Sequence, residues 1–522
     1  MYMKRKKGIS LIVLIITIII VIILAAVVIL TMSKNNPINS AREARFKEDI
    51  RNFQSELSMY IGNQIVKDYS GTREKITTTD SSTFDEMKEY ILSFQEKYEG
   101  KLGIEKDELV YFPKKVTKEE EKWLIDLGIK SKTIKETAES EFQWGSEDPN
   151  NSEYGTIIKY KGNSSNVVIP ERCTKIEMYS FYGYSDVENI TLTKNVRFLS
   201  GDFGDKLISI DVVEDNPYFY SEDGILFNKS KTALIRYPED SLRKEYIIPD
   251  SVTTLATCAF YGCDNIENII MPNTILKIEE NAIESCDNLK SIEIPESVTD
   301  IAQGLNNASN FSYCESLTDI NVSKNNKNYS SEEGILFDKN KTKLLKFPSN
   351  KNISNYKIPD SVTIIAEHAF ENCKNIDSVI IPDSVINIGF SCFYRSSLKS
   401  IVIPNNVKSI KWKTFRSCTN LTEVVLSEGL DYIDGEAFYG CTNLIKINLP
   451  DSLSKIYGRA FEQCENLEKI ILPTNLSVIS SNAFQACNKL TFYCRIKEEN
   501  KPSGWANYWN KSRPIVWEYT GD

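Results

Sequence analysis

Two hydrophobic patterns open the chain and predict two different helical segments. Residues 9–32 contain no charged side chain, and a helix of that length would reach roughly 36 Å, enough to cross a hydrocarbon core of about 30 Å. Beyond Pro37, apolar side chains recur at alternating steps of four and three within a charged segment. They are Phe46, Ile50, Phe53, Leu57 and Tyr60. The patterns predict a basic leader over residues 1–8, a transmembrane helix over 9–32 and an amphipathic stalk helix over 33–65.

From residue 161 to residue 490 the hydrophobic pattern changes to short alternating segments that repeat. The segment "LKSIEIP" begins at Leu289, "LKSIVIP" begins at Leu398, and the prolines that end such segments are most often 23 residues apart. The alternation predicts short strands whose Leu and Ile side chains point inward. A period of about 20–29 residues with this motif indicates a leucine-rich repeat solenoid, because one coil cannot bury its own apolar face and successive coils must stack.

Most repeats also contain a phenylalanine that is followed, three positions later, by a cysteine. We expect the rings to fill the interior of successive coils, with the thiols as small buried residues beside them. Neighbouring thiols would lie about 5 Å apart on parallel side-chain vectors, which disulfide geometry disfavours, so these cysteines are expected to be free. The pairs are Phe260 and Cys263, Phe370 and Cys373, Phe415 and Cys418, Phe438 and Cys441, Phe461 and Cys464, and Phe484 and Cys487.

The full repeat, "SVxxIxxxAFxxCxxLxxIxIP", resembles the BspA-like leucine-rich repeats of bacterial surface proteins. The resemblance covers residues 161–490 and implies an α/β-type repeat solenoid with short parallel strands. It also implies a cell-surface protein that mediates adhesion to host or microbial surfaces. Residues 66–160 are expected to form a small α+β spacer, in which Thr117 and Glu120 make a capping box at the start of a helix.

Two segments interrupt the repeat, and the end of the chain departs from it. "DGILFNKSKTALIRYP" ends at Pro238 and "EGILFDKNKTKLLKFP" ends at Pro348, 110 residues later. Each is expected to be a hairpin that either covers a sheet edge or binds a ligand. Residues 491–522 are expected to cap the last coil. Their Trp505, Trp509 and Trp517 either shield that coil or stack on sugar rings.

Composition and charge narrow the range of functions. The net charge is −10 although the N-terminus carries a basic cluster, and an acidic body is repelled by phosphate backbones, so no nucleic-acid partner is expected. The single histidine, His368, lies at a variable repeat position and is expected at the surface or rim. One histidine excludes metal sites with several histidines, and the chain has neither a C-x-x-C pair nor a Walker A motif. We therefore expect no enzyme activity, no metal and no cofactor.

The first 60 residues resemble a second family. "KKG" followed by "GISLI" is similar to the N-terminus of type IV pilin-like proteins, in which a prepilin peptidase cuts after the glycine. The resemblance implies cleavage after Gly8 and a mature N-terminus at Ile9, whereas the alternative is an uncleaved anchor. Val13 stands where the family has a glutamate that helps subunits enter a filament, so filament assembly is less expected than cleavage. The basic cluster before the apolar run predicts a cytoplasmic N-terminus and an extracellular repeat domain.

One side chain per strand is expected to face outward between two buried ones. We interpret these residues as a candidate ligand-binding stripe on the strand face, which is the concave docking surface in leucine-rich repeats. Five of the seven are β-branched and apolar, although β-propensity alone is an alternative explanation. They are Ile270, Glu293, Ile380, Val402, Val425, Asn448 and Ile471.

The sequence as a whole predicts a membrane-anchored, single-pass cell-surface protein whose repeats bind a protein or glycan in an adhesion-type interaction. The alternative is a minor pilin-like subunit that carries the repeats on a type IV pilus or pseudopilus. Self-association through the N-terminal helix is a further expected contact.

We predict that the mature protein begins at Ile9, because prepilin-type peptidases cut after the glycine that precedes the apolar run. N-terminal mass spectrometry of the membrane-extracted protein should find Ile9, while a Gly8→Val control should keep the leader. Detection of Met1 or Tyr2 on the mature protein would leave only the uncleaved anchor.

Overall fold

The computed structural model describes most of the chain beyond residue 36. The described residues are 37–69, 98, 101–105, 108–111, 116–131, 136–177, 179–181, 183, 186–199, 203–302 and 309–521. The chain divides into an N-terminal unit, Met1–Lys135, and a C-terminal unit, Glu136–Asp522. The predicted leader, the transmembrane helix, Gly8 and Ile9 all lie outside the described residues. Among the helices that are described, none is both long enough and apolar enough to cross a membrane.

The N-terminal unit packs two helices and a small sheet around the apolar seam of the first helix. The elements are α1 (Pro37–Tyr69), β1 (Leu102–Glu105), β2 (Glu108–Tyr111), α2 (Lys118–Asp126) and β3 (Lys130–Ser131). Strand β2 lies between β1, which is antiparallel to it, and β3, which is parallel. Phe46, Ile50, Phe53 and Leu57 of the seam are buried in one cluster with Trp123 and residues of the sheet. The seam therefore supplies the core of its own unit.

The capping box predicted at the start of α2 is confirmed. The backbone N–H of Glu120 donates to Thr117 Oγ1 at 3.2 Å, and the backbone N–H of Thr117 donates to Glu120 Oε2 at 2.9 Å. Two of the amides that a helix leaves unpaired at its N-terminus are satisfied in this way.

The C-terminal unit is a solenoid in which two rows of strands run along the stack of coils. The first row, whose outward surface we term the strand face, contains fifteen described strands in four parallel sheets. The first two sheets are β6 (Asn166–Val168), β8 (Asn189–Leu192) and β10 (Ser209–Val212), then β14 (Glu245–Ile247), β16 (Asn268–Ile270), β18 (Ser291–Ile294) and β20 (Asp319–Val322). The other two are β24 (Asn355–Lys357), β26 (Ser378–Ile380), β28 (Ser400–Val402), β30 (Glu423–Val425) and β32 (Lys446–Ile447), then β34 (Lys469–Leu472), β36 (Thr491–Cys494) and β38 (Ile515–Val516).

The second row of strands alternates with the first along the chain. Its first sheet is β4 (Phe142–Trp144), β5 (Thr156–Tyr160), β7 (Lys175–Ile176) and β9 (Phe198–Leu199). The second is β11 (Phe219–Glu222), β12 (Ile225–Asn228), β13 (Ala233–Arg236), β15 (Thr254–Leu255), β17 (Lys277–Ile278) and β19 (Asp300–Ile301). The third is β21 (Tyr329–Glu332), β22 (Ile335–Asp338), β23 (Lys343–Lys346), β25 (Ile364–Ile365) and β27 (Asn387–Ile388). The last is β29 (Ser409–Ile410), β31 (Tyr432–Ile433), β33 (Lys455–Ile456), β35 (Val478–Ile479) and β37 (Gly504–Trp505).

The predicted solenoid of short parallel strands is confirmed, but the α/β-type class needs correction. Among the described residues of the C-terminal unit, the only helices are 3₁₀ turns at Glu139–Glu141 and Glu498–Asn500. The connections bend at residues with left-handed backbone, for example Lys413 at φ 57°, Glu436 at φ 57° and Arg459 at φ 63°. A residue of positive φ interrupts an α-helix, so these connections stay turns. The unit is a β-solenoid with little helix.

Repeated phenylalanines form a column of stacked rings through the interior. From Phe370 through Phe393, Phe415, Phe438 and Phe461 to Phe484, neighbouring centroids lie 5.0–5.2 Å apart, and the planes of neighbouring rings differ by at most 16°. This separation is close to the spacing of paired strands, so each ring fills one coil. The ring column therefore follows directly from parallel pairing of coils of equal length.

The repeat cysteines are free and buried, as predicted, and so are the other cysteines of the chain. Several thiols donate to the phenylalanine carbonyl of the preceding coil. Cys418 Sγ lies 2.9 Å from Phe393 O, Cys441 Sγ lies 3.1 Å from Phe415 O, and Cys487 Sγ lies 2.9 Å from Phe461 O. Burial raises the pKa of the Cys418 thiol to about 12, which keeps the donor proton in place. A small side chain with one weak donor suits this position.

The two longer segments are three-stranded meanders that belong to the wall of the solenoid. Strand β12 pairs antiparallel with both β11 and β13. Strand β13 also pairs in parallel with β15 of the next coil. Ile225, Leu226 and Phe227 of β12 are buried. The second meander, β21 to β23, repeats this pairing 110 residues later. Of the two expectations, the buried strands favour a role in covering a sheet edge.

A fully buried asparagine anchors each meander to the coil before it. Asn326 Nδ2 donates to the carbonyls of Pro295 and Val298 at 2.8 and 3.0 Å. Its Oδ1 accepts from the backbone N–H groups of Asn328 and Tyr329, both at 2.8 Å. Asn216 makes the same four bonds at the first meander. One side chain thus satisfies four backbone groups at a point where the strand ladder is interrupted.

The expectation that His368 lies at the surface is wrong, because the imidazole is fully buried. It packs edge-on against Phe390, with the ring centroids 5.2 Å apart. His368 Nδ1 lies 3.1 Å from Glu371 Oε2, and Lys346 Nζ donates to the backbone carbonyl of His368 at 2.9 Å. The second meander brings Lys346 against this turn, and the three side chains together form a buried charged cluster.

The pKa of buried Glu284 reflects the same cluster. The pKa of this carboxyl is raised to about 8, mainly by burial and in addition by the negative charge of Glu371, whereas the positive charge of Lys346 lowers it. The side chain is only 5% exposed, and its Oε2 accepts no hydrogen bond within the described residues. Glu284 is therefore held as a neutral acid at neutral pH.

The tryptophans at the C-terminal end shield the last coils. Trp505 and Trp509 are buried, with their rings 4.8 Å apart, and Trp505 Nε1 donates to Leu476 O at 2.9 Å. Trp509 also lies 4.6 Å from the ring of Phe492. Sugar stacking needs an accessible ring face, so the buried rings support the cap and argue against a sugar site at these two residues.

We predict that Asn326→Leu lowers the free energy of unfolding by about 3 kcal/mol, because it leaves four buried backbone groups without partners. Asn340→Leu, in the exposed turn of the same meander, is the control and should change stability by less than about 0.5 kcal/mol. Urea unfolding of the full chain in detergent measures both. Equal effects of the two substitutions would contradict the anchoring role.

We predict that Glu284→Gln stabilises the protein by an amount that grows with pH. The folded state keeps the Glu284 proton up to a pKa of about 8, whereas the unfolded carboxyl loses it near its ordinary value. Wild-type stability therefore falls as pH rises between these values, and the glutamine variant avoids this loss. At pH 5 the melting temperatures of the two proteins should differ by about 1 °C or less. At pH 8 the variant should melt several degrees above the wild type. A constant difference would contradict the buried proton.

Candidate ligand-binding strand face

The structure places six of the seven predicted stripe residues on the surface, and the seventh is half-buried. The exposed residues include Ile380, Val402 and Val425, which keep 58%, 59% and 38% of their side-chain surface in solvent. Each lies next to a buried residue of the same strand, as the alternation predicts. Ile270, Glu293 and Asn448 are also exposed, whereas Ile471 is half-buried.

Strand pairing brings only part of the predicted stripe into direct contact. Val402 pairs with Val425 across β28 and β30, and the register of β26 with β28 sets Ile380 beside Val402. These three residues form what we term the apolar stripe. At one end of it, Lys357 pairs with Ile380. Sheet β24 to β32 therefore presents three β-branched side chains side by side on neighbouring coils.

The other end of the apolar stripe is closed by Asn448. Asn448 Oδ1 accepts from the backbone N–H of Leu426 at 2.7 Å, and its Nδ2 donates to Leu426 O. The amide is therefore engaged with the end of the neighbouring strand β30. Asn448 is exposed beside the strand face, but its polar atoms already have partners.

The remaining predicted residues belong to other sheets. Ile270 and Glu293 lie in sheet β14 to β20, and Ile471 lies in sheet β34 to β38. The sequence interpretation missed Ile247, which pairs with Ile270 and is exposed, and Tyr493, which pairs with Ile471. Both stand at the same strand position as their partners. Ile247 and Tyr493 lie in segments that do not contain the full repeat motif, so the motif did not identify them.

Polar side chains line the stripe on one side. Ser378, Ser400 and Glu423 precede the stripe residues by two positions and share their outward direction. Lys446 Nζ lies 2.7 Å from Glu423 Oε1. Because this ion pair is exposed, it contributes little to stability, but it leaves the rim polar and nearly neutral. Protein-binding surfaces typically have an apolar centre surrounded by a polar rim, and here the rim has almost no net charge.

The strand face has the chemistry of a binding surface. The apolar stripe is aliphatic, its rim carries hydroxyl groups and an ion pair, and the one histidine of the chain is buried elsewhere. Across the part of the chain that the structure describes, no three His, Cys, Asp or Glu side chains come together in a way that would hold a metal ion.

Comparison with known proteins identifies the repeat. The family model of the BspA type leucine rich repeat region matches in six copies, over residues 156–206, 239–351, 345–441 and 413–501. No curated protein sequence matches the chain.

Several solved structures are similar to this chain at low sequence identity. A leucine rich cell surface protein from Faecalibacterium prausnitzii is 22% identical, with 75% of this chain and 100% of that chain covered and a TM-score of 0.43. The pneumococcal vaccine antigen PcpA is 20% identical, with 68% and 80% covered and a TM-score of 0.48. A leucine-rich repeat protein from Eubacterium ventriosum is 24% identical, with 64% and 89% covered and a TM-score of 0.40.

The family model matches more than half of the chain, and the matched residues contain the stacked coils described above. The chain belongs to the BspA-type leucine-rich repeat family.

Proposed function

We propose that this chain is a membrane-anchored cell-surface protein that binds a protein partner through the apolar stripe of its strand face. The observation that carries the proposal is the exposure of three adjacent β-branched side chains, Ile380, Val402 and Val425. Water-facing strand positions are usually polar, and a contiguous apolar surface on a soluble domain is typical of an interaction site.

The geometry of the stripe suits a protein better than a sugar. The three side chains lie on neighbouring coils and have no aromatic ring among them, whereas sugar-binding surfaces rely on accessible aromatic faces. Serine and a paired glutamate at the rim offer hydrogen bonds around an apolar centre, as in other protein interfaces. The solenoid is a rigid support for such a surface, since each coil is held by its neighbours on both sides.

The cellular location in the proposal rests on the N-terminal sequence. The uncharged run over residues 9–32 and the basic cluster before it support a single span with the repeat domain outside the cell. This orientation predicts that the repeat region stays in the membrane fraction. It also predicts that external protease removes the repeat region from intact cells. An intact repeat region on protease-treated cells would contradict it.

The second candidate function, a minor pilin-like subunit, is favoured by the "KKG" and "GISLI" motifs at Lys6 to Ile12. Val13 weighs against entry into a filament. Recovery of the protein in sheared filaments would favour this candidate, whereas retention in the membrane favours the anchored surface protein.

We predict that changing Ile380, Val402 and Val425 together to Thr weakens partner binding by about 2 kcal/mol, on the order of 30-fold, because it keeps the β-branching and removes apolar contact area. The control is Ile386→Thr, at an equally exposed isoleucine outside the strands of the strand face. Adhesion of cells that display the full chain measures the effect, on target cells treated beforehand with protease or with glycosidase.

Adhesion that is lost with the triple variant and after protease treatment of the target, but kept with Ile386→Thr, supports a protein partner. Adhesion that is sensitive only to glycosidase would contradict a protein partner. A triple variant that keeps its melting temperature and adheres as well as the wild type would show that the stripe reflects strand propensity alone.

A further inference from the structure

Two neighbouring turns between the second row of strands and the first form a basic surface, away from the strand face. Residues 389–398 and 411–421 contain four basic side chains and no acidic one, although the chain as a whole has a net charge of −10. We term these two segments the basic turns. Their basic residues are Arg395, Lys411, Lys413 and Arg416.

Aromatic rings hold three of these cations in place. Lys413 Nζ lies 3.8 Å from the centroid of the Trp412 ring, and Arg395 Cζ lies 5.1 Å from that of Tyr394. Arg416 Cζ lies 4.2 Å from the ring centroid of Tyr439 in the next coil. A ring attracts a cation through its negative face but carries no net charge. The rings therefore position the cations without neutralising them.

Carboxylates balance only part of this charge. Arg416 pairs with Glu436 of the next coil, whereas the guanidinium of Arg395 has no ion pair among the described residues and lies only over its neighbouring ring. Burial lowers the pKa of Lys413, Glu436 acts in the opposite direction, and the positive charge of Arg416 lowers the pKa further. Like charges that crowd in this way are relieved by a bound anion.

The first basic turn is shorter than its neighbours. Between the repeat phenylalanine and the next buried Leu or Ile, it has four residues, whereas the turns of the coils before and after have five. Ser397 stands alone where those coils have the pairs Lys374–Asn375 and Thr419–Asn420. Because the coils stack at a nearly constant spacing, the missing residue leaves a recess between two longer turns.

The shorter turn also coincides with an amide that has lost its usual partner. At the equivalent position of other coils, Asn288 Nδ2 donates to Asp264 O at 2.7 Å and Asn443 Nδ2 donates to Thr419 O at 2.8 Å. The side chain of Asn420 makes no such bond to the preceding coil within the described residues, and it is exposed. It therefore leaves two N–H donors at the edge of the recess.

The donors around the recess suit an oxyanion. Lys374 at one edge already pairs with Glu315 at 2.6 Å, so Arg395 is the cation that remains available. A guanidinium offers parallel N–H donors that match the oxygens of a sulfate or phosphate group. The Asn420 amide adds a neutral donor, and Lys413 and Arg416 supply positive charge from the neighbouring turn.

We propose that this recess binds a sulfate or phosphate group, either as the free ion or as an ester on a polysaccharide. Arg395 makes the principal contact, and Asn420 donates to the same group. The site lies on the turns rather than on the strand face, so it does not depend on the partner proposed for the apolar stripe.

Calorimetric titration of the full chain in a non-ionic detergent tests the proposal at low and at physiological ionic strength. The probes are sodium sulfate, sodium phosphate, short-chain dextran sulfate and uncharged dextran of the same length. The variant is Arg395→Gln. Its matched control is Arg197→Gln, because Arg197 is also exposed, lies 5.4 Å from the ring of its neighbour Phe198 and has no ion pair among the described residues.

We expect at least one of the anionic probes to bind, and Arg395→Gln to weaken that binding about tenfold, as the loss of a charge-assisted contact would. Arg197→Gln should leave the affinity unchanged, and uncharged dextran should not bind. Tighter binding of dextran sulfate than of the free ions identifies an ester group as the ligand, and the reverse order identifies the free ion. If Arg395→Gln fails to fold, Asn420→Asp, which places a negative charge at the exposed edge of the recess, should weaken binding instead.

Three results would overturn the proposal: no binding of any anionic probe at low ionic strength, equal weakening by Arg395→Gln and by Arg197→Gln, or uncharged dextran that binds as tightly as dextran sulfate. None of these results affects the adhesion experiment with the stripe variant, so failure of this site and failure of the proposed function are distinguishable.

Discussion

Every coil of the C-terminal unit depends on its neighbours for its backbone hydrogen bonds and for the burial of its apolar side chains. Because the strands pair in parallel and the coils have nearly the same length, a residue at one repeat position lies directly beside the equivalent residue of the next coil. Phenylalanine rings therefore stack at 5.0–5.2 Å, and thiols such as Cys441 reach a carbonyl of the preceding coil. Because these contacts exist only between coils, stability is a sum of neighbour interactions, and the interior tolerates little variation.

Interruptions of the repeat are tolerated because buried polar groups replace the contacts that pairing would have supplied. Each meander breaks the strand ladder, and Asn216 or Asn326 then satisfies four backbone groups that would otherwise be unpaired. The second meander also brings Lys346 beside His368 and Glu371. Such a buried charged cluster adds less to stability than an apolar core of the same volume, yet it is costly to break on one side only. The neutral acid at Glu284 is a further cost of this arrangement.

The exterior tolerates far more variation, and the candidate ligand-binding surface arises from it. Outward strand positions and the residue after each repeat cysteine both face solvent, so neither is constrained by stacking. At the outward strand position, apolar residues on neighbouring coils make a stripe. One side chain per coil, repeated at a fixed spacing, produces a continuous surface of a single chemistry. The function of a solenoid therefore resides in what its consensus leaves variable.

The period of the sequence determined the strands, the direction of their side chains and the burial of Phe415 or Cys418, because strand alternation and coil length are local properties. The outward direction of Ile380, Val402 and Val425 followed for the same reason. Sequence reasoning could not place His368, since its burial depends on a meander that packs on its turn from 22 residues earlier at Lys346. Nor could it show that the predicted stripe residues are divided among separate sheets. Those outcomes depend on which coil each irregular segment stacks against, and this contact between distant residues leaves no periodic signal in the chain.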